Sequence, residues 1–215
     1  MTMTMTMTVS GSKTDQIYDA LRTRLMQGHY QFGEVLSTYE LAQEFGVSRR
    51  PVMDAAMRLA SEGFISIIPQ VGCRVIIPDE DRVREHFALA GILEGAGAKL
   101  AALNATEVQL ADITAALDRC AGPAEADDAA AFAAANRDFH SAVLAASGNQ
   151  RLTELAKHAW DLSDFYIQNN RVSTDLRRSQ SEHSDIAGAI SRREPGLARE
   201  LMEGHLSRFW MGVHI

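Results

Sequence analysis

The chain has 215 residues, of which 46% are hydrophobic and 23% charged, as is usual for a globular protein. No apolar run approaches the roughly 18 residues that a membrane span needs, and the opening MTMTMTMT lacks the basic region and apolar core of a signal peptide. The two cysteines, Cys73 and Cys120, show no metal-type spacing. We therefore expect a cytoplasmic protein with reduced thiols and no membrane partner.

The net charge of −7 belongs to one part of the chain. Residues 9–78 carry seven basic and seven acidic side chains, whereas residues 79–215 carry 14 basic and 21 acidic ones. A neutral segment with arginines clustered on one helix can bind DNA. The charge pattern therefore permits DNA binding by the amino-terminal part and indicates another role for the remainder.

The chain is expected to begin with a disordered lead-in, residues 1–11, followed by a helix. An apolar stripe with helical spacing predicts that helix over residues 13–27, and Gly28 ends it. Ser37, followed three residues later by Glu40, forms a capping-box pattern that opens a second helix.

A third helix is predicted after a turn at Gly46. Ser48 is expected to cap it, and Pro51 is tolerated in its first turn because the backbone N–H groups there lack intrahelical partners. With the apolar positions turned inward, the outward side chains are Arg49, Arg50, Met53, Asp54 and Met57. Arginines in the first turn of such a helix suit phosphate and base-edge contacts.

Two β-rich runs, residues 64–68 and 74–77, follow on either side of the loop 69–72. Two helices, a tight turn and then a hairpin are the order of a winged helix-turn-helix, whose second helix enters the DNA major groove. We assign this fold to residues 12–78. Gln70 and Arg74 could contact a phosphate or the minor groove near the hairpin tip, or could simply be polar loop residues.

From Pro78-Asp79 onward the pattern is helical throughout. The predicted segments are 80–104, 106–121, 128–147, 150–170, 178–193 and 195–213, with a break expected at Gly122-Pro123. Residues 79–215 should therefore form an antiparallel all-α bundle of about six helices. The fold class expected for the whole chain is mainly α.

Three of the seven histidines have informative positions in this bundle. Asn136 and His140 share one helix face at i, i+4. His183 and His205 lie 22 residues apart around a predicted turn at residues 195–196, so a helical hairpin brings them to the same level. Three neutral imidazoles can bind one divalent ion. From spacing alone, hydrogen-bonded core histidines are the simpler interpretation.

The string ELAQEFGVSRRPVMDAAMRLASEGFI resembles the DNA-binding domain of GntR-type bacterial transcription regulators, over roughly residues 13–78. Met53 stands where that family usually has a second arginine, and Tyr39 where the leading member of the branch has one. Arg50 replaces a frequent threonine and could compensate. The candidate DNA-binding residues are Ser37, Tyr39, Ser48, Arg49, Arg50, Met53, Gln70 and Arg74.

The strings NRDFHSAVLAASGN, EHSDIAGAI and GHL resemble the FCD-type ligand domain of the FadR branch of this family. The resemblance implies that Asn136, His140, His183 and His205 hold a divalent transition metal, zinc or nickel. Ala90 stands where many members have an arginine that faces the effector cavity. The candidate replacements for that arginine are Arg171, Arg177 and Arg178.

Together the resemblances imply a homodimeric transcription regulator, with repression as the expected sign, that binds an inverted-repeat DNA operator. A small carboxylate effector would complete the coordination of the metal and change the affinity for DNA. One alternative is a metal-free regulator that senses a larger ligand such as an acyl-coenzyme A. A three-histidine metalloenzyme is the other, but no glutamate stands out as its general base, so we expect no enzymatic activity.

Overall fold

The computed structural model describes residues 12–168 and 175–211, except for the side chains of residues 168 and 209–211. The expected disordered lead-in, residues 1–11, lies outside the described residues. The chain is mainly helical, with a small sheet near its amino terminus, as the sequence predicts. The chain divides into two compact units, and the boundary in the sequence lies between Ile77 and Pro78.

The first unit is a winged helix-turn-helix. Its elements are α1 (Lys13–Met26), β1 (Val35–Ser37), α2 (Thr38–Glu44), α3 (Arg49–Ser61), β2 (Ile65–Ile68) and β3 (Gly72–Val75). Strands β2 and β3 form the predicted hairpin, with Ile68 opposite Gly72. The short strand β1, which the sequence pattern does not predict, pairs with the other side of β3 and places Leu36 opposite Cys73.

Helices α1 and α3 pack against each other through apolar stripes that recur every three to four residues. The fully buried members include Leu21 and Leu25 of α1 and Val52, Ala56 and Leu59 of α3. Burial of these side chains supplies most of the stabilisation of such a small unit.

The two serine caps of the helix-turn-helix differ from the expected pattern. Ser37 occupies the N-cap of α2 and accepts a hydrogen bond from the Glu40 N–H at 3.3 Å, but Glu40 does not return the bond of a capping box. Ser48 occupies the N-cap of α3 without a side-chain capping bond. Its hydroxyl is exposed at the start of α3.

The second unit is a helical bundle, as predicted. Its elements are α4 (Glu80–Asn104), α5 (Glu107–Glu125), α6 (Ala129–Ala146), α7 (Gln150–Gln168), α8 (Leu176–Ser191) and α9 (Pro195–Met211). The break predicted at Gly122-Pro123 is wrong, because α5 continues through Pro123 to Glu125. Proline removes a single backbone donor. The helical hydrogen bonds extend past it, since the Ala126 N–H donates to the Gly122 carbonyl at 3.0 Å.

Helices α4 and α9 pack closely along much of their length because glycines form the contact. A Cβ atom on Gly95 would lie 2.6 Å from Cγ of Glu203, and one on Gly91 would lie 3.5 Å from the Glu203 carbonyl oxygen. This close approach lets Glu94 of α4 and His205 of α9 line the same cavity. Among helices within residues 12–168 and 175–211, none combines the length and apolar character required to span a bilayer.

Candidate metal centre and DNA-binding surface

Three histidines from three helices meet inside the second unit. His140 of α6, His183 of α8 and His205 of α9 each offer a ring nitrogen, and these nitrogens lie within 4.8 Å of one another. The three side chains are buried, with exposed fractions of 4%, 0% and 3%. The structure therefore brings together three of the four residues that the family resemblance assigns to the metal.

The helical hairpin of α8 and α9 places the rings of His183 and His205 opposite each other. Arg193 adopts φ 59° in the turn between the helices, and the Nε2 atoms of His183 and His205 are 3.2 Å apart. The centroid of the His140 ring lies 5.2 Å from that of His183 and 5.4 Å from that of His205. The cluster thus depends on the register of the hairpin against α6.

Two carboxylates fix the tautomers of two histidines. Nδ1 of His205 bonds Oε2 of Glu182 at 2.8 Å, and Nδ1 of His140 bonds Oε2 of Glu94. Because a carboxylate accepts hydrogen bonds, each Nδ1 carries a hydrogen, and Nε2 is the nitrogen that remains for another partner. A carboxylate in this position orients a histidine that binds a metal through its other nitrogen.

His183 is held by aromatic rings instead of a carboxylate. Its ring stacks on Phe139 at 4.4 Å and on Phe132 at 6.1 Å between centroids. Its Nδ1 atom is buried and has no hydrogen-bond partner among the described residues. Burial, together with neighbouring histidines and Arg208, holds the pKa of His183 and of His205 well below 6.5, so both rings are neutral.

The donor set fits a divalent transition metal. Two buried neutral imidazoles face each other through Nε2, and the third ring presents its own Nε2 lone pair to them. Nitrogen donors of this kind suit zinc and nickel. Asn136 is half-buried one turn before His140 and lines the cavity beside the cluster.

The cavity beside the histidines has a volume of about 40 Å³ and is partly open to solvent. Its walls include Phe87, Glu94, Asn136, Arg137, His140, Trp160, Ser163, Asp164 and His205. Trp160 donates its indole N–H to Oε1 of Glu94 at 2.9 Å and so closes the wall next to His140. Such a space holds a few water molecules or one small ligand.

In the first unit, the candidate DNA-binding residues divide by exposure. Arg49 and Arg50 are exposed in the first turn of α3, where Nη2 of Arg49 donates to Oγ1 of Thr38 at 3.3 Å. Tyr39 is 58% exposed and its hydroxyl accepts a hydrogen bond from Gln43. The remaining candidates on or before these helices are Met53 and Ser37, which are half-buried, and Ser48, which is exposed.

The wing places its two candidates differently. Gln70 lies exposed at the tip of the hairpin with φ 64°, a left-handed conformation that tight turns need. Arg74 is exposed within β3, opposite Ser66 of β2, and so lies on the strand instead of the tip.

Comparison with protein families assigns both units. Residues 13–75 match the bacterial regulatory proteins of the gntR family, and residues 85–208 match the FCD domain. The chain belongs to the GntR family of transcription regulators. It is therefore a DNA-binding regulator with an FCD domain and not an enzyme.

Curated relatives of this GntR regulator are also regulators. It is 27% identical to the probable D-xylose utilization operon transcriptional repressor of Paenarthrobacter nicotinovorans, over 90% of this chain and 85% of the relative. It is 29% identical to the HTH-type transcriptional repressor RspR of Escherichia coli, over 89% of this chain and 84% of the relative.

Solved structures share the fold of this GntR regulator. Escherichia coli McbR/YncC has a TM-score of 0.73 at 24% identity, covering 91% of this chain and 94% of that one. A GntR transcriptional regulator from Rhodococcus sp. RHA1 has a TM-score of 0.75 at 20% identity, covering 95% and 100%.

Two of the three arginines that the sequence proposes for the effector, Arg177 and Arg178, do not line the cavity. Arg171 lies outside the described residues. Arg177 donates to the Glu125 carbonyl at 3.2 Å, and Arg178 pairs with Glu182 at 2.9 Å, both on the exposed surface of α8. The cavity is instead lined by Arg137, which lies three residues before His140 and therefore on the same helix face.

Glu94 is a site residue that the sequence interpretation missed. It is 2% exposed and lies in the apolar stripe of α4 between Phe87 and Ala98. A single carboxylate within an apolar stripe was the signal that could have identified it. Glu94 and Glu182 both bond histidine Nδ1 atoms and so orient the His140 and His205 rings.

Acidification should destabilise the helical unit through His86. Its ring packs edge-on to Phe87 and Tyr166, its Nε2 lies 2.8 Å from Oγ of Ser163, and burial lowers its pKa to about 4. The folded state then binds fewer protons than the unfolded state. Stability present above the unfolded pKa of about 6.5 is therefore lost as the pH falls, by about 2 kcal/mol at pH 5.

Urea unfolding at pH 7 and pH 5 measures this loss. The His86→Gln variant should lose about 2 kcal/mol less than the wild type between these pH values. Equal losses in both proteins would show that His86 does not carry the effect.

Proposed function

We propose that this GntR regulator is a cytoplasmic homodimer whose affinity for its operator is controlled by a small carboxylate at a metal centre in the FCD domain. Repression is the expected sign of regulation. The observation that supports the proposal most strongly is the buried cluster of three histidines, two of them oriented by carboxylates at Nδ1, beside a small cavity.

His140, His183 and His205 would hold the metal through ring nitrogens, with Asn136 available at the cavity wall as an oxygen donor. When bound, the ion would supply a Lewis-acidic centre for a carboxylate. Glu94 keeps the hydrogen of His140 on Nδ1. The cavity of about 40 Å³ suits a small acid better than an acyl-coenzyme A.

An exposed apolar face on α4 supports the dimer. Leu89, Ile92 and Leu103 are 54%, 58% and 56% exposed and recur with helical spacing on one side of that helix. A symmetric pair of chains would present two copies of α3, which fits an operator with inverted repeats. Arg49 and Arg50 would contact phosphates and base edges there.

Removal of the metal should change the affinity for DNA. An operator can be selected from random duplexes with the zinc-loaded full chain, and binding then measured by fluorescence anisotropy before and after treatment with a chelator. A coupling of about 1–3 kcal/mol predicts a change of about 5- to 150-fold, reversed by zinc. Equal affinity in both metal states would contradict metal-linked control.

A further inference from the structure

The cavity beside the histidine cluster has an acidic wall. Asp164 of α7 and Arg137 of α6 both line it, and the two side chains are ion-paired. The same guanidinium also donates to Oδ1 of Asp161 at 3.1 Å. One positive charge is thus shared between two carboxylates, and burial raises the pKa of Asp164 against the opposing effect of Arg137.

A third carboxylate adds to this charge. Glu94 lines the cavity and is bonded to two groups without a fixed charge, the Trp160 indole and the His140 ring. Glu94 and Asp164 line the cavity, and Asp161 lies behind Arg137; with the arginine, these three carboxylates carry a formal charge of two minus. A divalent ion at the histidines would bring the site to neutrality, so a dianionic ligand would again leave it strongly negative.

The arginine of the cavity is therefore not placed as a receptor for a carboxylate. Its Nη1 and Nη2 atoms already donate to Asp161 and Asp164. The two aspartates together offset its positive charge, so its remaining N–H groups attract a ligand carboxylate only weakly. Asp164, one helical turn from Trp160, presents a carboxylate on the wall, and a carboxylate accepts hydrogen bonds from hydroxyl or ammonium groups.

We propose that Asp164 selects the chemical class of the effector: a small monocarboxylic acid that also carries a hydroxyl or ammonium donor. The inference rests on the proposed function, because the carboxylate of this acid is assigned to the ion at the histidines. The donor end of the acid bonds Asp164, and Arg137 holds the Asp164 carboxylate in position.

Four acids with the same carbon chain test the selection: butanoate, 4-hydroxybutanoate, 4-aminobutanoate and succinate. Their binding to the zinc-loaded full chain is measured by isothermal titration calorimetry. The two acids with a donor should bind at least about tenfold tighter than butanoate, and succinate should bind most weakly.

The Asp164→Asn variant should lose at least about tenfold in affinity for 4-aminobutanoate and gain affinity for succinate. The control is Asp138→Asn, which removes an exposed carboxylate on α6 that pairs with Arg119, and which should leave all four affinities unchanged. Zinc content and melting temperature are measured first for every variant, so that loss of folding is recognised.

The outcomes separate the two proposals. If the zinc-loaded wild type binds succinate as tightly as 4-aminobutanoate, or binds none of the four acids, the assignment to Asp164 is overturned. Unchanged selectivity in a zinc-loaded Asp164→Asn protein overturns it as well. A folded wild-type protein that takes up no zinc overturns the metal centre itself.

Discussion

Replacing His183 with alanine should lower the affinity of the chain for zinc at least about 100-fold. His183 is fully buried between Phe132 and Phe139 and supplies one of three nitrogen donors. Competition with a chromophoric chelator measures the affinity. The matched control is His158→Ala, which removes an exposed histidine from α7 and should leave zinc binding unchanged.

Thermal unfolding separates lost metal from lost packing in the His183→Ala variant. A ligand that binds the folded state alone raises the melting temperature. Zinc should therefore raise the melting temperature of the wild type and of His158→Ala, but not the melting temperature of His183→Ala. The same zinc affinity in all three proteins would mean that the three histidines form a hydrogen-bonded core.

Replacing Arg50 with alanine should weaken operator binding about 5- to 150-fold, the loss of one base or phosphate contact worth about 1–3 kcal/mol. Arg50 is exposed in the first turn of α3, next to Arg49, whose guanidinium is directed to Thr38 of α2. Binding is measured by fluorescence anisotropy on the selected operator and on variants with single base changes.

The control for Arg50→Ala is Arg119→Ala, which removes the same charge from an exposed position in the helical unit. Its operator affinity should stay within about twofold of the wild type, because Arg119 lies outside the winged helix-turn-helix and salt screens exposed charges. Unchanged affinity and unchanged base preference in Arg50→Ala would show that Arg50 does not compensate for Met53.

The elements of the fold could be predicted from the sequence because most of their signals are local. Apolar periodicity predicted the helices, and local pairs such as the Thr106-Gln109 capping box at the start of α5 stabilise them in the structure. The sequence analysis missed strand β1 because its three residues form a strand only by pairing with β3. The paired residues, Leu36 and Cys73, are 37 positions apart in the sequence. Pro123 led to a wrong prediction of a helix break. A proline near a helix end destabilises the helix only slightly when the backbone donors that follow it find partners.

The candidate site, like the fold, was predicted where the signal is local and missed where it depends on contacts between distant segments. The levels of His140, His183 and His205 follow from helix geometry and the family pattern. Glu94 and Arg137 become site residues only through contacts between helices: Glu94 bonds His140 of α6 and Trp160 of α7, and Arg137 bonds Asp161 of α7. Arg177 and Arg178 have the right charge, but α8 directs them to its exposed side.

The central claim is that a divalent ion binds among His140, His183 and His205. The most direct test is elemental analysis of the untagged full chain, alongside His183→Ala, before and after incubation with zinc or nickel. The structure leads us to expect close to one ion per wild-type chain and none in the variant. No metal in the wild type after both incubations would contradict the claim and direct the search to larger, metal-independent effectors.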